Sequence, residues 1–425
     1  MAPVPTAVKA TAEQIRSVNL SSNPFKKDFP LLARNPGLTF LDSAATAQRP
    51  QVVLDAMRDF YINLNSNPLR GLYRLSVEAT EAIDRVRRRV ASFIGAPMAN
   101  EVVFTRNATE SLNIMAATVG GKRIGPGDEV CISIMEHHSN LIPWQQLCKR
   151  TGATLVYLRP DDDCKITREE YESKINQRTR IVSIAQVSNV LGVENPVREI
   201  AAWAHQFGAL VVVDGAQSAP HMAVNVQELG CDAFAFSGHK LFGPMGVGVL
   251  WAKHQVLERM DSFLTGGEMI DWVTETDFGA APIPQKFEAG TQDAAGIAGL
   301  GAAITYINSI GYETLEARER ALVAETARRL QELPFIRLIG PTDPADHVAV
   351  VSFNICGVHP HDVASILDSQ DIAIRAGHHC AQPLLTSLGV ESCCRASVAL
   401  YNDQNDIDKL VDGLQKVWEI FNGAF

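Results

Sequence analysis

Between residues 101 and 252, short runs rich in β-branched and aromatic residues alternate with stretches of helical periodicity. This alternation is typical of a parallel sheet whose strands are joined by helices. Several of the runs are apolar throughout, as expected of strands that are covered on both faces. The predicted strands are EVVFT, EVCISI, TLVYL, IVSIAQ, ALVVVD, AFAFS and VGVLWA. The fold class is therefore α/β, with a large, mainly parallel, seven-stranded sheet.

After residue 300 the pattern changes. GYETLEARERALVAETARRLQEL predicts a long amphipathic helix that ends before Pro334. Two strand-like runs and two further helices follow, which indicates an α+β arrangement. A chain of 425 residues is long for one core. We predict a large domain over residues 37–299, a small domain over 300–425, and an N-terminal segment, 1–36, that packs on the small domain and starts with a loose lead-in over 1–20.

Composition narrows the function classes. A net charge of −10 argues against a nucleic-acid partner. No apolar run reaches the length of a membrane span, and the first residues lack an apolar signal core, so we expect neither membrane insertion nor secretion. The eight cysteines are scattered and form no CxxC pair. This predicts reduced thiols and a cytoplasmic protein.

Polar residues follow five of the predicted strands. Because ligands bind outside the carboxyl ends of the strands in an open parallel sheet, these residues should converge on one site. Any one of them could be an ordinary loop residue, but five such groups at one edge of the sheet indicate a binding site. The groups are Asn107, Ala108 and Thr109; Glu136, His137, His138 and Ser139; Ser188 and Asn189; Asp214 and Gln217; and Ser237, Gly238, His239 and Lys240.

The residue types indicate one cofactor. Lys240 lies among small and apolar residues, where a desolvated amine can form an imine. Asp214 ends a buried strand and needs a cationic or donor partner. Thr109, Ser237 and His239 supply donors suited to a phosphate. An amine, an acid for a ring nitrogen and a phosphate cup are what pyridoxal phosphate requires. The alternative, a surface lysine beside a core aspartate, leaves the glycines around Lys240 unexplained.

Several motifs together resemble a known family. VVVDGAQSAPH, FSGHKLFGPMGVGVL, MEHHSNLIPW, SNVLG, FEAGTQD and RAGHHCAQP are similar to segments of the cysteine desulfurases, which are fold-type I pyridoxal-phosphate enzymes with a class-V aminotransferase-like fold. Within them the chain resembles the group II, Suf-type enzymes, a group that includes selenocysteine lyase-like members. The resemblance runs from about residue 41 to the C-terminus. It implies conversion of L-cysteine to L-alanine, with sulfur supplied for iron–sulfur cluster assembly.

The resemblance also implies catalytic roles. Lys240 would hold the cofactor through an imine and move the Cα proton of the substrate. Asp214 would keep the pyridine nitrogen protonated, and His137 would stack on the ring. Cys380, in the GHHC stretch, would attack the substrate sulfur as a thiolate and become a persulfide.

The remaining implied roles are binding roles. Asn189 and Gln217 would reach the ring oxygen or the substrate, and Arg395, with Arg375 as a second candidate, would bind the substrate carboxylate. The implied phosphate contacts are Thr109, Ser237, His239, the backbone N–H of Ala108, and Thr291 from the partner subunit of a homodimer. A SufE- or SufU-like protein would accept the sulfur.

Other interpretations of these residues remain open. His378, His379, Cys380, Cys393 and Cys394 could form a metal site, but neighbouring side chains tend to point apart and make poor chelates, so no metal is expected. Selenocysteine lyase is the nearest competing function. An aminotransferase, a β-eliminating lyase and an inactive assembly scaffold are more distant ones, because the first two need no Cys380 and a scaffold needs none of the catalytic set.

Two departures from the family pattern limit the comparison. Leu69 and Tyr73 stand where many relatives carry histidines, so histidine roles at the mouth of the site do not transfer. Ala108 replaces a residue that is often hydroxyl-bearing. Its backbone N–H is therefore the expected phosphate contact.

Overall fold

A seven-stranded sheet dominates the part of the chain, residues 10–69 and 71–423, that a computed structural model describes. The strands of the chain are Thr39–Phe40 (β1), Val102–Thr105 (β2), Glu129–Ser133 (β3), Thr154–Leu158 (β4), Thr179–Ala185 (β5), Leu210–Asp214 (β6), Ala233–Ser237 (β7), Gly248–Ala252 (β8), Ile270–Val273 (β9), Phe278–Ala280 (β10), Ile336–Ile339 (β11), Val350–Ile355 (β12), Ile372–Ala373 (β13), Arg375–Gly377 (β14) and Cys393–Ser397 (β15).

Helices connect and cover the strands. They are Ala12–Ser17 (α1), Pro30–Arg34 (α2), Gln51–Asn63 (α3), Arg74–Phe93 (α4), Ala108–Thr118 (α5), Gly120–Arg123 (α6), Ile142–Thr151 (α7), Arg168–Lys174 (α8), Val197–His205 (α9), Val226–Leu229 (α10), His254–Arg259 (α11), Ala294–Ile310 (α12), Tyr312–Gln331 (α13), Pro360–Asp368 (α14), Gln382–Ser387 (α15) and Gln404–Asn422 (α16).

The large sheet has the order β2-β8-β7-β6-β5-β3-β4 and is mainly parallel, as predicted. Among its described strands, β8 alone runs opposite to the other six and therefore pairs antiparallel with both β2 and β7. Only residues 238–247 join β7 to β8, which is too short for a parallel crossover. In β6, Val211 and Val213 pack into one apolar core and Val212 into another, so both faces of the sheet are covered.

A smaller antiparallel sheet, β11-β12-β15-β14, lies in the C-terminal part of the chain. Helices α13, α14 and α16 supply apolar residues to a third core beside it. The strand β1 pairs in parallel with β13, so residues 39 and 40 lie next to this C-terminal unit. The predicted boundary between residues 299 and 300 falls inside α12, and the division into domains stays a prediction.

The segment over residues 1–20, predicted to be a loose lead-in, contains a short helix. Residues 1–9 lie outside the described residues, but α1 follows directly. Thr11 and Gln14 form a capping box at its start, which satisfies two backbone N–H groups. In the described chain no single helix is long and apolar enough to cross a membrane. The bent pair formed by α12 and α13 has the length and composition of a span only when the two helices are taken together.

Candidate active site

A cavity of about 240 Å³ opens at the carboxyl ends of the parallel strands. It is the edge at which the sequence predicts a site. Thr291 is exposed and is not among the described residues that line the cavity. The other residues with a predicted binding or catalytic role line it together, namely Ala108, Thr109, His137, Asn189, Asp214, Gln217, Ser237, His239, Lys240, Arg375, Cys380 and Arg395. Of the remaining residues in the five strand-end groups, Asn107 and Ser139 also line the cavity, whereas Glu136, His138, Ser188 and Gly238 are not among its lining residues.

Lys240 and Asp214 face this cavity from neighbouring strands. Lys240 ends the single helical turn after β7, and burial lowers the pKa of its amine to about 8 despite the opposing effect of Asp214. Asp214 ends β6 and accepts a 2.9 Å hydrogen bond from the backbone N–H of Ala216. Burial raises the pKa of this carboxyl group. The pair combines a readily deprotonated amine with a buried acid.

The start of α5 provides hydrogen-bond donors at one end of the cavity. The backbone N–H of Ala108 donates to the Ser237 hydroxyl at 2.9 Å. The hydroxyls of Thr109 and Ser139 lie 2.6 Å apart. Burial lowers the pKa of His239 to about 4, so its ring is neutral near pH 7 and offers an N–H. Together with the positive end of the helix dipole, these groups suit an anion such as phosphate.

His137 and Gln217 border the space between these groups. Burial lowers the pKa of His137 to about 3, so its imidazole is neutral, and its Nδ1 accepts from the backbone N–H of Ser139 at 3.1 Å. The Gln217 amide donates to the Ala44 carbonyl at 3.0 Å. Its buried Oε1 has no partner within the described chain. A flat, neutral ring and an unpaired acceptor are compatible with an aromatic ligand that carries a hydroxyl group.

Two arginines approach the cavity from the small sheet. Arg375 of β14 lies directly opposite Arg395 of β15 in the strand pairing. The buried Arg395 donates from Nη1 to the Asn189 carbonyl at 2.9 Å and from Nη2 to Asp42 at 3.3 Å. Arg375 Nη1 lies 3.5 Å from the other oxygen of Asp42. Arg395 lines the cavity, and its buried Nε has no hydrogen-bond partner among the described residues. A guanidinium with an unused donor is the kind of group that binds a carboxylate, and this role of Arg395 stays a prediction.

The loop that carries Cys380 has an unusual backbone. His379 and Cys380 have φ values of 51° and 54°, in the left-handed region that residues with a Cβ rarely adopt. Each such residue costs on the order of 1 kcal/mol. Asn189 Nδ2 donates to the His379 carbonyl at 2.7 Å, and His379 Nε2 lies 2.9 Å from the Cys393 carbonyl. These bonds hold an exposed thiol at the edge of the cavity.

The other two cysteines considered for a metal site are packing residues. Cys393 and Cys394 are fully buried in β15. Burial raises the pKa of Cys393 to about 12 and that of Cys394 further. Within residues 10–69 and 71–423, no group of three or more His, Cys, Asp or Glu side chains could hold a metal ion.

Sequence reasoning missed Asp42 and gave no role to Glu136. Asp42 lies in the LDSAAT segment used for the resemblance, yet nothing in the local pattern shows that it contacts two arginines more than 300 positions later. Glu136 is buried and accepts hydrogen bonds from the Ser133 hydroxyl, the Asn140 amide at 2.6 Å and the Ala185 N–H at 3.0 Å. Burial raises its pKa to about 7.

Comparisons with known proteins identify the family of the chain. The aminotransferase class-V family model matches residues 39–410. A probable cysteine desulfurase of Halalkalibacterium halodurans is 49% identical over 409 residues, which cover 96% of this chain and 100% of the relative. A cysteine desulfurase of Dickeya dadantii is 46% identical over 396 residues, covering 92% and 95%. The chain belongs to the cysteine desulfurases of the class-V aminotransferase family.

Solved desulfurase structures share the whole fold. CsdA of Escherichia coli, in an S-sulfonic acid form, superposes with a TM-score of 0.87 at 37% identity, covering 93% of this chain and 98% of that one. The apo enzyme of Thermococcus onnurineus gives a TM-score of 0.88 at 38% identity, with coverage of 97% and 99%. These structures confirm the predicted fold. Membership of the class-V aminotransferase family, together with the cysteine desulfurase relatives, confirms the predicted pyridoxal-phosphate dependence.

The residues of this desulfurase fit its cofactor. Asp214 would meet the ring nitrogen as a buried acid, Lys240 would supply the amine, and Gln217 offers an unpaired acceptor. The α5 start offers the phosphate donors described above. Which of these groups makes each contact stays a prediction.

Proposed function

We propose that this desulfurase converts L-cysteine to L-alanine and that Cys380 takes up the sulfur as a persulfide. One observation carries the proposal: an exposed thiol lies at the edge of a cavity that also holds a partly buried amine, a buried acid and a buried arginine. An aminotransferase or β-eliminating lyase of the same fold needs no thiol in this position.

Some of these side chains bind the substrate, and others transfer protons or stabilise charge. Arg395 and Arg375 bind the carboxylate of L-cysteine and so fix the direction in which its side chain points. Bound pyridoxal phosphate supplies an electron sink for the charge left when Cα loses its proton. Lys240, whose pKa of about 8 lies near physiological pH, takes up and returns that proton at Nζ. Asp214 keeps a positive charge at the ring nitrogen.

The sulfur transfer balances without an added oxidant. The Cys380 thiolate forms a bond to the substrate sulfur while the carbon–sulfur bond breaks. The electron pair of that bond stays with the carbon, which gains a proton and becomes the methyl group of alanine. The products are L-alanine and a Cys380 persulfide, and the thiol is regenerated when an acceptor removes the outer sulfur.

The partners and setting of the reaction belong to the same proposal. The exposed Thr291 would complete the phosphate site of a second subunit in a homodimer. The exposed Cys380 loop would pass its sulfur to a SufE- or SufU-like protein for iron–sulfur cluster assembly, as in group II enzymes. A persulfide cycle needs reduced thiols, which supports a cytoplasmic location.

A product assay tests the proposal. The purified, cofactor-loaded protein is incubated with L-cysteine and a thiol reductant, and L-alanine and sulfide are measured together. Equal yields of the two products support desulfuration. Pyruvate with sulfide would show β-elimination instead. A parallel assay with L-selenocysteine distinguishes the competing lyase, because alanine and selenide would then form while L-cysteine gave neither product.

A further inference from the structure

Asp42 is held in a fixed position behind the two arginines of the cavity. The backbone N–H of Leu41 donates to the Ala373 carbonyl at 2.8 Å, and the N–H of Ser397 donates to the Leu41 carbonyl at 2.7 Å. Asp42 itself forms a bridge with Ser397. The backbone at Asp42 is therefore fixed between β13 on one side and β15 on the other. Its carboxylate has little freedom to move away from Arg375 and Arg395.

The contacts with Asp42 neutralise only part of the positive charge of the arginine pair. Each oxygen of Asp42 faces one guanidinium, at 3.3 Å from Arg395 and 3.5 Å from Arg375. Two cations and one anion leave a net charge of +1. Arg395 is buried, with 3% of its side chain exposed, and its Nε has no hydrogen-bond partner among the described residues. Asp42 is not among the described residues that line the cavity, so it acts through the arginines.

We propose that Asp42 sets the charge selectivity of the carboxylate pocket, so that the pocket accepts substrates with one carboxylate and disfavours those with two. The proposal rests on the proposed function, because it takes the arginines to be the binding site of the substrate carboxylate. One carboxylate neutralises the remaining charge of the pocket. A second carboxylate meets an arginine already paired with Asp42 and stays uncompensated in a partly buried site.

Binding of two three-carbon acids tests the proposal without turnover. Propionate carries one carboxylate and malonate carries two, and neither has an amino group or sulfur. Their affinities for the cofactor-loaded protein are measured by calorimetry at pH 8. Asp42→Asn keeps the shape of the side chain but removes its charge. It should shift the ratio of malonate to propionate affinity by about tenfold in favour of malonate, as expected for one partly screened charge.

Two further variants complete the experiment. Asp59→Asn, which removes a carboxylate from an exposed ion pair on α3, should leave the ratio unchanged. Arg375→Gln in the Asp42→Asn background restores the net charge of +1 and should return the ratio to its original value. If Asp42→Asn does not fold, Arg375→Gln alone remains informative, since it should shift the ratio the other way, against malonate.

The outcomes separate this proposal from the function itself. An unchanged affinity ratio in folded Asp42→Asn, or in Arg375→Gln alone, would overturn the role of Asp42, even if the parent protein forms alanine from L-cysteine. If the parent protein forms no alanine while the ratio shifts as described, the selectivity holds and the proposed reaction is wrong.

Discussion

The carbonyl oxygen of Cys380 accepts a 2.6 Å hydrogen bond from the backbone N–H of His138. This bond joins the thiol loop, which follows a strand of the small sheet, to the residue after His137 at the edge of the large sheet. The N–H of Gln382 donates back to His138 Nε2 at 3.3 Å. The position of the reactive sulfur therefore depends on both sheets, and changes at either side should alter its chemistry.

Loss of the Cys380 thiol should stop sulfur transfer but not cofactor binding. Serine oxygen cannot take up sulfur as a persulfide, so Cys380→Ser should retain the yellow cofactor and form at least 100-fold less alanine from L-cysteine, roughly the contribution of a positioned nucleophile. Cys356→Ser is the matched control, because Cys356 is the other exposed thiol among the described residues. Mass spectrometry after a single turnover should place one added sulfur on the Cys380 peptide. Its presence on Cys393 or Cys394 would contradict the assignment.

The cofactor should be attached to Lys240. Its lowered pKa of about 8 leaves a substantial fraction of free amine near neutral pH, which imine formation requires. After borohydride reduction, peptide mapping should locate the pyridoxyl group on Lys240. Lys253, a half-exposed lysine in an ion pair with Asp232, provides an internal comparison and should stay unlabelled. A label on Lys253, or on any lysine but Lys240, would refute the predicted site.

Asp214 should matter more for turnover than for cofactor retention. Removing the buried acid leaves the phosphate donors and Lys240 in place but removes the charge that stabilises a protonated ring nitrogen. Asp214→Ala should therefore keep bound cofactor and lose at least 100-fold in the rate of alanine formation, in the range that a buried electrostatic contact supplies. Absorbance spectra report retention, and a chromatographic alanine assay reports rate. Undiminished turnover would mean that the ring nitrogen lies elsewhere.

His379 should restrain the Cys380 loop. His379→Gly tolerates the left-handed backbone but removes the contact between Nε2 and the Cys393 carbonyl. The loop should then be less fixed in position, and hydrogen exchange in the peptide that contains Cys380 should be several-fold faster at an unchanged cofactor spectrum. His378→Ala removes the neighbouring exposed ring and serves as the control. Equal exchange rates in the two variants, measured on the Cys380 peptide, would show that His379 does not restrain the loop.

Burial of Glu136 should make stability depend on pH. Its pKa rises from 4.5 to about 7 in the folded protein, so between these values the folded state binds more protons than the unfolded state. Stability should therefore fall as pH rises from 5 to 7. Glu136→Gln has no titrating group there and should show a smaller decrease in denaturation midpoint over this range. Glu81→Gln, an exposed change, controls for loss of charge. The same slope in all three proteins would exclude Glu136 as its source.

The large sheet was predictable because burial on both faces leaves a clear pattern. The runs ending in Asp214 and Ser237 are almost wholly apolar, and further polar residues, Gln217, His239 and Lys240, stand within three positions of their ends. The antiparallel direction of β8 is not visible in hydropathy, since strands of either direction look alike when buried. The helix α1 was missed because six residues give too little periodicity, although its capping box was present in the sequence.

The site was predictable in part. The residues at strand ends were found because parallel strands bring their carboxyl ends to one edge. Asp42 was not found, since its role arises from contacts with strands β14 and β15 at the other end of the chain. The hydrogen bond from Asn189 to the His379 carbonyl, which fixes the Cys380 loop, was missed for the same reason. Local sequence shows which groups are available, and tertiary pairing decides which of them meet.

The pairing of β1 with β13, and of Asp42 with Ser397, has a consequence for synthesis of the protein. The first contact joins residues 333 positions apart, such as Thr39 and Ile372, and the second joins residues 355 positions apart. At a ribosomal rate of roughly 5–20 residues per second, about 20–70 s pass between the synthesis of Asp42 and the synthesis of its partner Ser397. The large sheet can form during that interval, while the carboxylate pocket is completed only after Ser397 has left the exit tunnel. A nascent chain stalled before that point would carry the cofactor lysine but no finished pocket for the substrate.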